Sequence, residues 1–322
     1  MSATATPTPS HSSSILTQPR SLFQTCCTAA LAHSKNLTNL LPFRSFTSSG
    51  SWVMHGTAVG HETKTSEANN TRMSNGDGDA KDLAEQCARM NKKVYEFLNQ
   101  KPRNERVANV QRRTRESLGV IGEALERYSL SELSFSYNGG KDCLVLLILY
   151  LAALHTHSTT KTSPPLPPAL RSVYIVSPNP FPSVTEFVQT SSKHYHLSLT
   201  QYHKPMREAF AAYLADHPDV KAIFVGTRRT DPHGRNLSFF DMTDTHWPSF
   251  MRIHPVIDWH YAEIWAFIRE LDVEYCELYD LGYTSLGGTD DTHPNPALKE
   301  GDGYRPAYEL VEDEEERLGR DR

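Results

Sequence analysis

From Cys143 to Leu154 the chain carries no charged residue and is almost entirely aliphatic. Leucine dominates the stretch, so it reads as a helix, and a helix apolar on every side must be buried on every side. Just before it, Leu133, Phe135 and Tyr137 alternate with polar residues at the period of a strand. The junction between the two is Ser136-Tyr137-Asn138-Gly139-Gly140-Lys141-Asp142. Adjacent glycines let the backbone turn sharply and approach a ligand, while the first amides of the following helix point at whatever lies above them. Such a junction is an anion site, most naturally a phosphate site. It has the spacing of neither the common P-loop nor a GxGxxG turn. Asp142 stands where that P-loop has a Ser or Thr, and an acid in the first helical turn either caps the helix or holds a divalent cation against a phosphate.

The surrounding pattern sets the fold class. Lys81 to Asn99 and Arg106 to Tyr128 read as helices, and His155 to Pro168 reads as a surface loop. Beyond it, Val173 to Val176, Leu197 to Tyr202 and Val220 to Val225 read as strands, separated by helices over Ser183 to His196 and Pro205 to Ala215. Tyr261 to Leu271 reads as an amphipathic helix, with Trp259 and Trp265 in the core. Alternating strands and helices imply an α/β fold with a mostly parallel sheet covered on both faces, whose ligands sit beyond the carboxyl ends of the strands. Gly139, Gly140 and Gly226 all fall at such ends, so one cleft can take both loops.

Gly226-Thr227-Arg228-Arg229-Thr230-Asp231-Pro232-His233-Gly234 leaves the last of these strands directly. Arginine offers a planar fork to phosphate oxygens and aspartate offers hard oxygen to Mg²⁺, so Arg228, Arg229 and Asp231 suit a polyphosphate and its metal. The plain alternative is a turn at Asp231 to Gly234 with solvated arginines. The segment Asp241 to Arg252 reads as a loop that brings Asp244, Trp247, Phe250 and Arg252 together, side chains suited to stack on a flat heteroaromatic and bond its edge. The second glycine pair, Gly287-Gly288, reads as a turn, and Glu312 to Arg322 as a solvated charged tail.

With 322 residues the chain has room for more than one average domain, but its hydrophobic share of 38% is low and the deficit lies at the N-terminus. Met1 to His61 contains no Asp or Glu and much Ser and Thr, so residues 1–80 read as a disordered or targeting extension with a linker at Asn69 to Asp82, and residues 81–322 as one α/β domain. The extension has the profile of an organelle transit peptide, which leaves the cytoplasm and the mitochondrion as expected locations. A net charge of −5 argues against a general nucleic-acid binder. The cysteines form no zinc spacing, and no apolar run is long enough to span a membrane. Small-molecule substrates and a monomer are the plain expectation.

The order of the motifs narrows the reading. SYNGGKD, GTRRTDPHG, TDTHWPSFMR, HPVIDWHYAEIWAFI, CELYDLGYTSLGG, PNPAL and ERLGR follow one another from about Ser134 to Arg320. This succession resembles eukaryotic, fungal-type FAD synthases, also called FMN adenylyltransferases, whose modified PP-loop belongs to the ATP pyrophosphatase-like superfamily that includes PAPS reductases. The resemblance implies a PAPS reductase-like fold and a nucleotidyltransferase that moves AMP from ATP to FMN, with Mg²⁺ as cofactor. It implies Asn138, Asp142, Asp231, Arg317 and Arg320 as catalytic. Ser136, Tyr137, Gly139, Gly140, Lys141, Gly226, Arg228 and Arg229 would lie at the ATP phosphates, and Asp142 and Asp231 at the metal. Asp244, Trp247 and Arg252 would hold the flavin. Two departures stand out: Asn236 to Phe240 replaces a usual Lys-Pro stretch, and the link from Leu298 to Glu309 is shorter than in yeast members. A PAPS reductase would need a nucleophilic cysteine after Cys276, and none follows. A tRNA-modifying relative would need a basic face or catalytic cysteines. A non-catalytic flavin-binding regulator is the remaining competitor, and the presence of both Asn138 and Asp142 speaks against it.

Overall fold

In the computed structural model, which describes residues 81–160 and 165–321, two capped amphipathic helices lead into the sheet. Helix α1 spans Leu83–Asn99 and opens on Asp82, whose carboxylate accepts from the Glu85 amide. Helix α2 spans Glu105–Arg127 and opens on Asn104, which accepts from the Val107 amide. The extension and linker expected over residues 1–80 lie outside the described residues.

Strand β1 (Leu133–Ser136) then enters the apolar helix α3 (Lys141–Ser158). Every side chain of α3 from Cys143 to Leu154 is buried. The reason is its place in the layers: it packs on the sheet below and on α1 and α2 above. Phe135 stacks on Tyr150 at 6.0 Å and Tyr150 meets Phe224 at 4.6 Å, joining two strands to the helix. The helix runs past the expected boundary at Leu154, because nothing in His155 to Ser158 breaks it and the Ser158 hydroxyl bonds back to the His155 carbonyl.

The remaining elements are β2 (Leu170–Ile175), α4 (Pro182–His194), β3 (Leu197–Tyr202), α5 (Met206–Asp216), β4 (Ala222–Phe224), β5 (Phe240–Met242), β6 (Met251–Ile253) and α6 (Tyr261–Glu270). The sheet order is β3-β2-β1-β4-β6-β5, parallel throughout except for the edge strand β5. Alternation splits the core: Tyr174 and Phe224 pack with α3 and its neighbours, while Val173 and Ile223 pack with α5 residues Phe210 and Tyr213. Among the described residues, no helix is long and apolar enough to cross a membrane.

Strands β5 and β6 correct the reading of Asp241 to Arg252 as a plain loop. Three-residue strands are too short to show a period, and their pairing is tertiary: Phe224 lies beside Ile253, and Ile253 beside Phe240. The segment is therefore a hairpin whose connecting loop is held against the sheet. The chain also reverses direction across the sheet between β1 and β4, so the loops leaving these two strands flank a topological switch point. A Leu147→Ala change in α3 removes a side chain buried between two layers and should cost about 3 kcal/mol in urea-induced unfolding.

Candidate active site

The glycine loop leaves β1 at the switch point. Gly139 sits at φ +74°, a conformation side chains resist, and a Cβ on Gly226 would lie 2.8 Å from the Cys143 amide nitrogen. The loop after β4 therefore passes directly over the first turn of α3. Two amides of the expected anion site already have acceptors: Gly140 donates to Asn138 Oδ1 at 3.0 Å, and Lys141 donates to the Tyr279 hydroxyl at 2.9 Å. The Cys143 thiol also donates to Asn138 Oδ1, at 2.9 Å. Asn138 thus shapes the loop it belongs to.

Above the helix end lies a buried network of charge. Arg228, fully buried, places Nε 2.7 Å from Asp142 Oδ1 and also meets Asp231 and Asp313 at 3.4 Å and Glu316. Lys141, 2% exposed, reaches Glu316 Oε1 at 2.5 Å and Asp142 Oδ2 at 3.0 Å, with the Tyr261 ring beneath it. Four carboxylates (Asp142, Asp231, Asp313, Glu316) thus face two cations, so the cluster is acidic on balance. Burial works against the charge on Lys141 and on Arg228, yet the carboxylates raise both pKa values. Burial likewise opposes ionisation of Asp142, and Arg228 with Lys141 still holds it below the usual range. Asp231 goes the other way: burial raises it, the neighbouring Asp142 and Glu316 add to the effect, and the pull of Arg228 does not cancel them. Asp231 also forms the plain turn, accepting from the Arg228 amide at 2.8 Å through its side chain and from Gly234 at 2.9 Å through its carbonyl.

The expected site residues divide into two groups. Arg229 does not join the network. It bonds Asp258 at 2.6 Å and the carbonyls of Arg235 and Leu237, so it clamps the loop that follows β4. Glu312 to Arg322 is not a solvated tail throughout. The Glu316 carbonyl accepts from Thr284 at 2.6 Å, and fully buried Asn295 donates to the Glu315 carbonyl at 2.7 Å. This docking brings Arg317 to Ser285 at 3.4 Å and Arg320 to Asp291 at 2.9 Å and to the Leu286 carbonyl at 3.1 Å. Asp291 in turn accepts from the Gly288 amide, so Gly287-Gly288 is a turn, and Gly288 bridges to Pro180 in the segment after β2. The shorter link from Leu298 still delivers both arginines to loops at the carboxyl edge of the sheet.

Beside the glycine loop lies a cleft with about 870 Å³ of empty space, open mouth included. Ser136, Tyr137 and Asn138 line it together with Thr243, Trp247, Phe250 and Arg252 from the hairpin. Ile175, Met206, Phe210 and Val225 give it apolar walls, the character of a pocket for a flat ring. Phe250 is 3% exposed and packs on Phe210 at 5.1 Å, so it supports the wall. Arg252 is steadied by the Met242 carbonyl at 2.8 Å and lies within electrostatic range of Asp244, whose Oδ2 is buried without a hydrogen bond.

Glu316, Asn295, Tyr279 and His254 are among the residues that hold or line the site and that the sequence reading does not single out. Each lies inside a recognisable motif, but its residue type reads there as solvent-facing charge, a turn or core. His254 is 1% exposed, and neither ring nitrogen makes a well-formed hydrogen bond. Burial first, and then the charge of Arg252, push its pKa down from 6.5 to about 3 against a weak pull from the Val225 backbone. Between those values the unfolded chain binds the extra proton and the folded one does not, so stability falls as pH drops through that window. At pH 5 this group alone should cost on the order of 2 kcal/mol. Urea unfolding from about pH 7.5 to 4.5 checks it, and His254→Asn should flatten that part of the slope.

Known proteins resemble this chain in sequence and fold. The model of the phosphoadenosine phosphosulfate reductase domain matches residues 132–218 and 203–294. A probable FAD synthase of Schizosaccharomyces pombe is 43% identical over 218 residues, covering 67% of this chain and 82% of that protein. A probable FAD synthase of Caenorhabditis elegans is 37% identical over 211 residues, covering 64% of this chain and 40% of that longer protein. The crystal structure of Candida glabrata FMN adenylyltransferase in complex with FMN and the ATP analogue AMPCPP superposes with a TM-score of 0.71 at 31% identity, over 75% of this chain and 98% of that one. By sequence and by fold, this chain belongs to the FAD synthase family, the FMN adenylyltransferases built on a PAPS reductase-like domain.

Proposed function

We propose that this protein joins the AMP part of ATP to FMN, giving FAD and pyrophosphate. The observation that carries the reading is the meeting, at one switch point, of the Asn138 loop, the Asp142 and Asp231 carboxylates and a cleft lined by Trp247 and Arg252. An oxygen of the FMN phosphate attacks the α-phosphorus of ATP in line, the new P–O bond forms, and the bond to the β-phosphate bridging oxygen breaks. A phosphate monoester is largely ionised near neutral pH, so the site needs alignment and charge more than a strong base.

The residues take their roles from their places. Trp247 and the apolar walls hold the isoalloxazine, with Asp244 and Arg252 at its edge. The loop from Ser136 to Gly140 turns its backbone to the nucleotide phosphates. Arg317, whose contact is the Ser285 hydroxyl at 3.4 Å, holds the leaving pyrophosphate, and Arg320 joins it on release from Asp291 and the Leu286 carbonyl, whereas Lys141 and Arg228 are saturated by carboxylates and Arg229 is engaged elsewhere.

Mg²⁺ fits this donor set in a limited way. Among the described residues no three carboxylate, His or Cys side chains converge as a ready metal cage. Asp142 and Asp231 lie on one acidic cluster, and Mg²⁺ ordinarily takes one or two carboxylates and completes its shell with phosphate oxygens and water. When bound it supplies charge neutralisation at the ATP phosphates.

Incubating the full chain with ATP, FMN and Mg²⁺ should yield FAD and pyrophosphate in equal amounts, followed by flavin chromatography and a coupled pyrophosphate assay. A protein that binds FMN and makes no FAD would refute the reading. A Lys81–Arg322 truncation should turn over at the same rate, because we assign the whole site to residues 81–322. Asp231→Asn should lower kcat by about 100-fold and change FMN affinity by less than about 3-fold. Equal loss in both would make Asp231 a structural turn residue only.

A further inference from the structure

We infer that Glu316 is a positioning residue whose carboxylate bridges Lys141 and Arg228 and thereby holds the C-terminal segment, with Arg317 and Arg320, in its working place. The step deepens the nucleotidyl-transfer reading and rests on it for turnover, but the docking itself does not.

The geometry is particular. Glu316 is 5% exposed and approaches two cations that come from different loops: Lys141 at the start of α3 and Arg228 after β4. These loops flank the switch point, so one carboxylate ties both to the end of the chain. Its immediate neighbour is Arg317, and Arg320 follows within the same turn, its amide donating to the Arg317 carbonyl at 3.0 Å. Asn295 and Thr284 fix the backbone of this segment from the other side.

The charge balance explains why the tether is specific. Without Glu316, Lys141 would keep Asp142 as its ion-pair partner, and Arg228 would keep Asp142 and the two longer contacts to Asp231 and Asp313. Each buried cation thus keeps a counter-charge without Glu316, and what Glu316 adds is a single carboxylate that spans both cations and brings the C-terminal segment to them. Lys141 and Arg228 then act through Glu316 rather than as free hands for phosphate.

The test compares the full-length wild-type protein with Glu316→Gln and with Asn295→Ala, which undocks the same segment without touching the buried cations. Amide hydrogen exchange of residues 312–321, without substrates, should speed up at least about 10-fold in both variants, with β1 and β4 changed by less than about 2-fold. In the same variants kcat should fall at least about 10-fold while KM for FMN stays within about 2-fold. Glu316→Asp should recover part of both effects. Unchanged exchange in Glu316→Gln overturns the tether, and faster exchange with undiminished kcat overturns the positioning role. If Glu316→Gln does not fold, Glu316→Asp, compared with wild type, decides on the same two readouts, and unchanged exchange together with unchanged kcat overturns the tether. Should wild-type protein make no FAD, the functional reading falls separately, and exchange alone decides the docking.

Discussion

An apolar helix with its N-terminus in a polar site constrains everything else in this protein. Helix α3 is buried along its whole apolar length, so it has one place to go, between the sheet and the α1–α2 layer. That burial fixes where its first turn emerges. The emergence point is the gap between β1 and β4, where the sheet order reverses. The position of that first turn at the switch point is therefore set by a packing requirement.

The same burial creates an electrostatic problem. Lys141 and Arg228 lie at the edge of an apolar core with almost no access to water, a costly position for a charge that lacks partners. The protein resolves it with carboxylates from three separate parts of the chain: Asp142 on the helix, Asp231 on the loop after β4, and Asp313 with Glu316 near the C-terminus. Local sequence supplies one partner and tertiary structure supplies the rest. The surplus of negative charge distinguishes this cluster from a simple structural pair.

The cleft beside the network follows a different logic. Its walls come from strands β2 and β4 and from α5, which covers the sheet face opposite α3. One helix covers less area than the stack of helices on the other face, and the segment connecting β5 and β6 adds Trp247 and Phe250 to the packing there. Trp247 and Arg252 enter the cleft because the hairpin is hydrogen-bonded to β4 through β6. Phe250 is the hinge of that arrangement, because its contact with Phe210 ties the loop to α5.

The sequence by itself determined the elements whose signal is local. Period and composition mark α1 to α6, the buried strands and the glycine junction, because helix and strand patterns repeat over enough residues to be read. The succession of motifs also carried the family. Tertiary structure alone decided what depends on meeting across the chain. Strands β5 and β6 exist through their pairing with β4, since three residues have no period of their own. Glu316 reads as one more charge in an acidic run until Lys141 and Arg228 lie against it, and Arg229 reads like Arg228 until Asp258 takes it aside. A side chain's role in a buried network is set by its partners' positions, and those positions are a property of the folded chain.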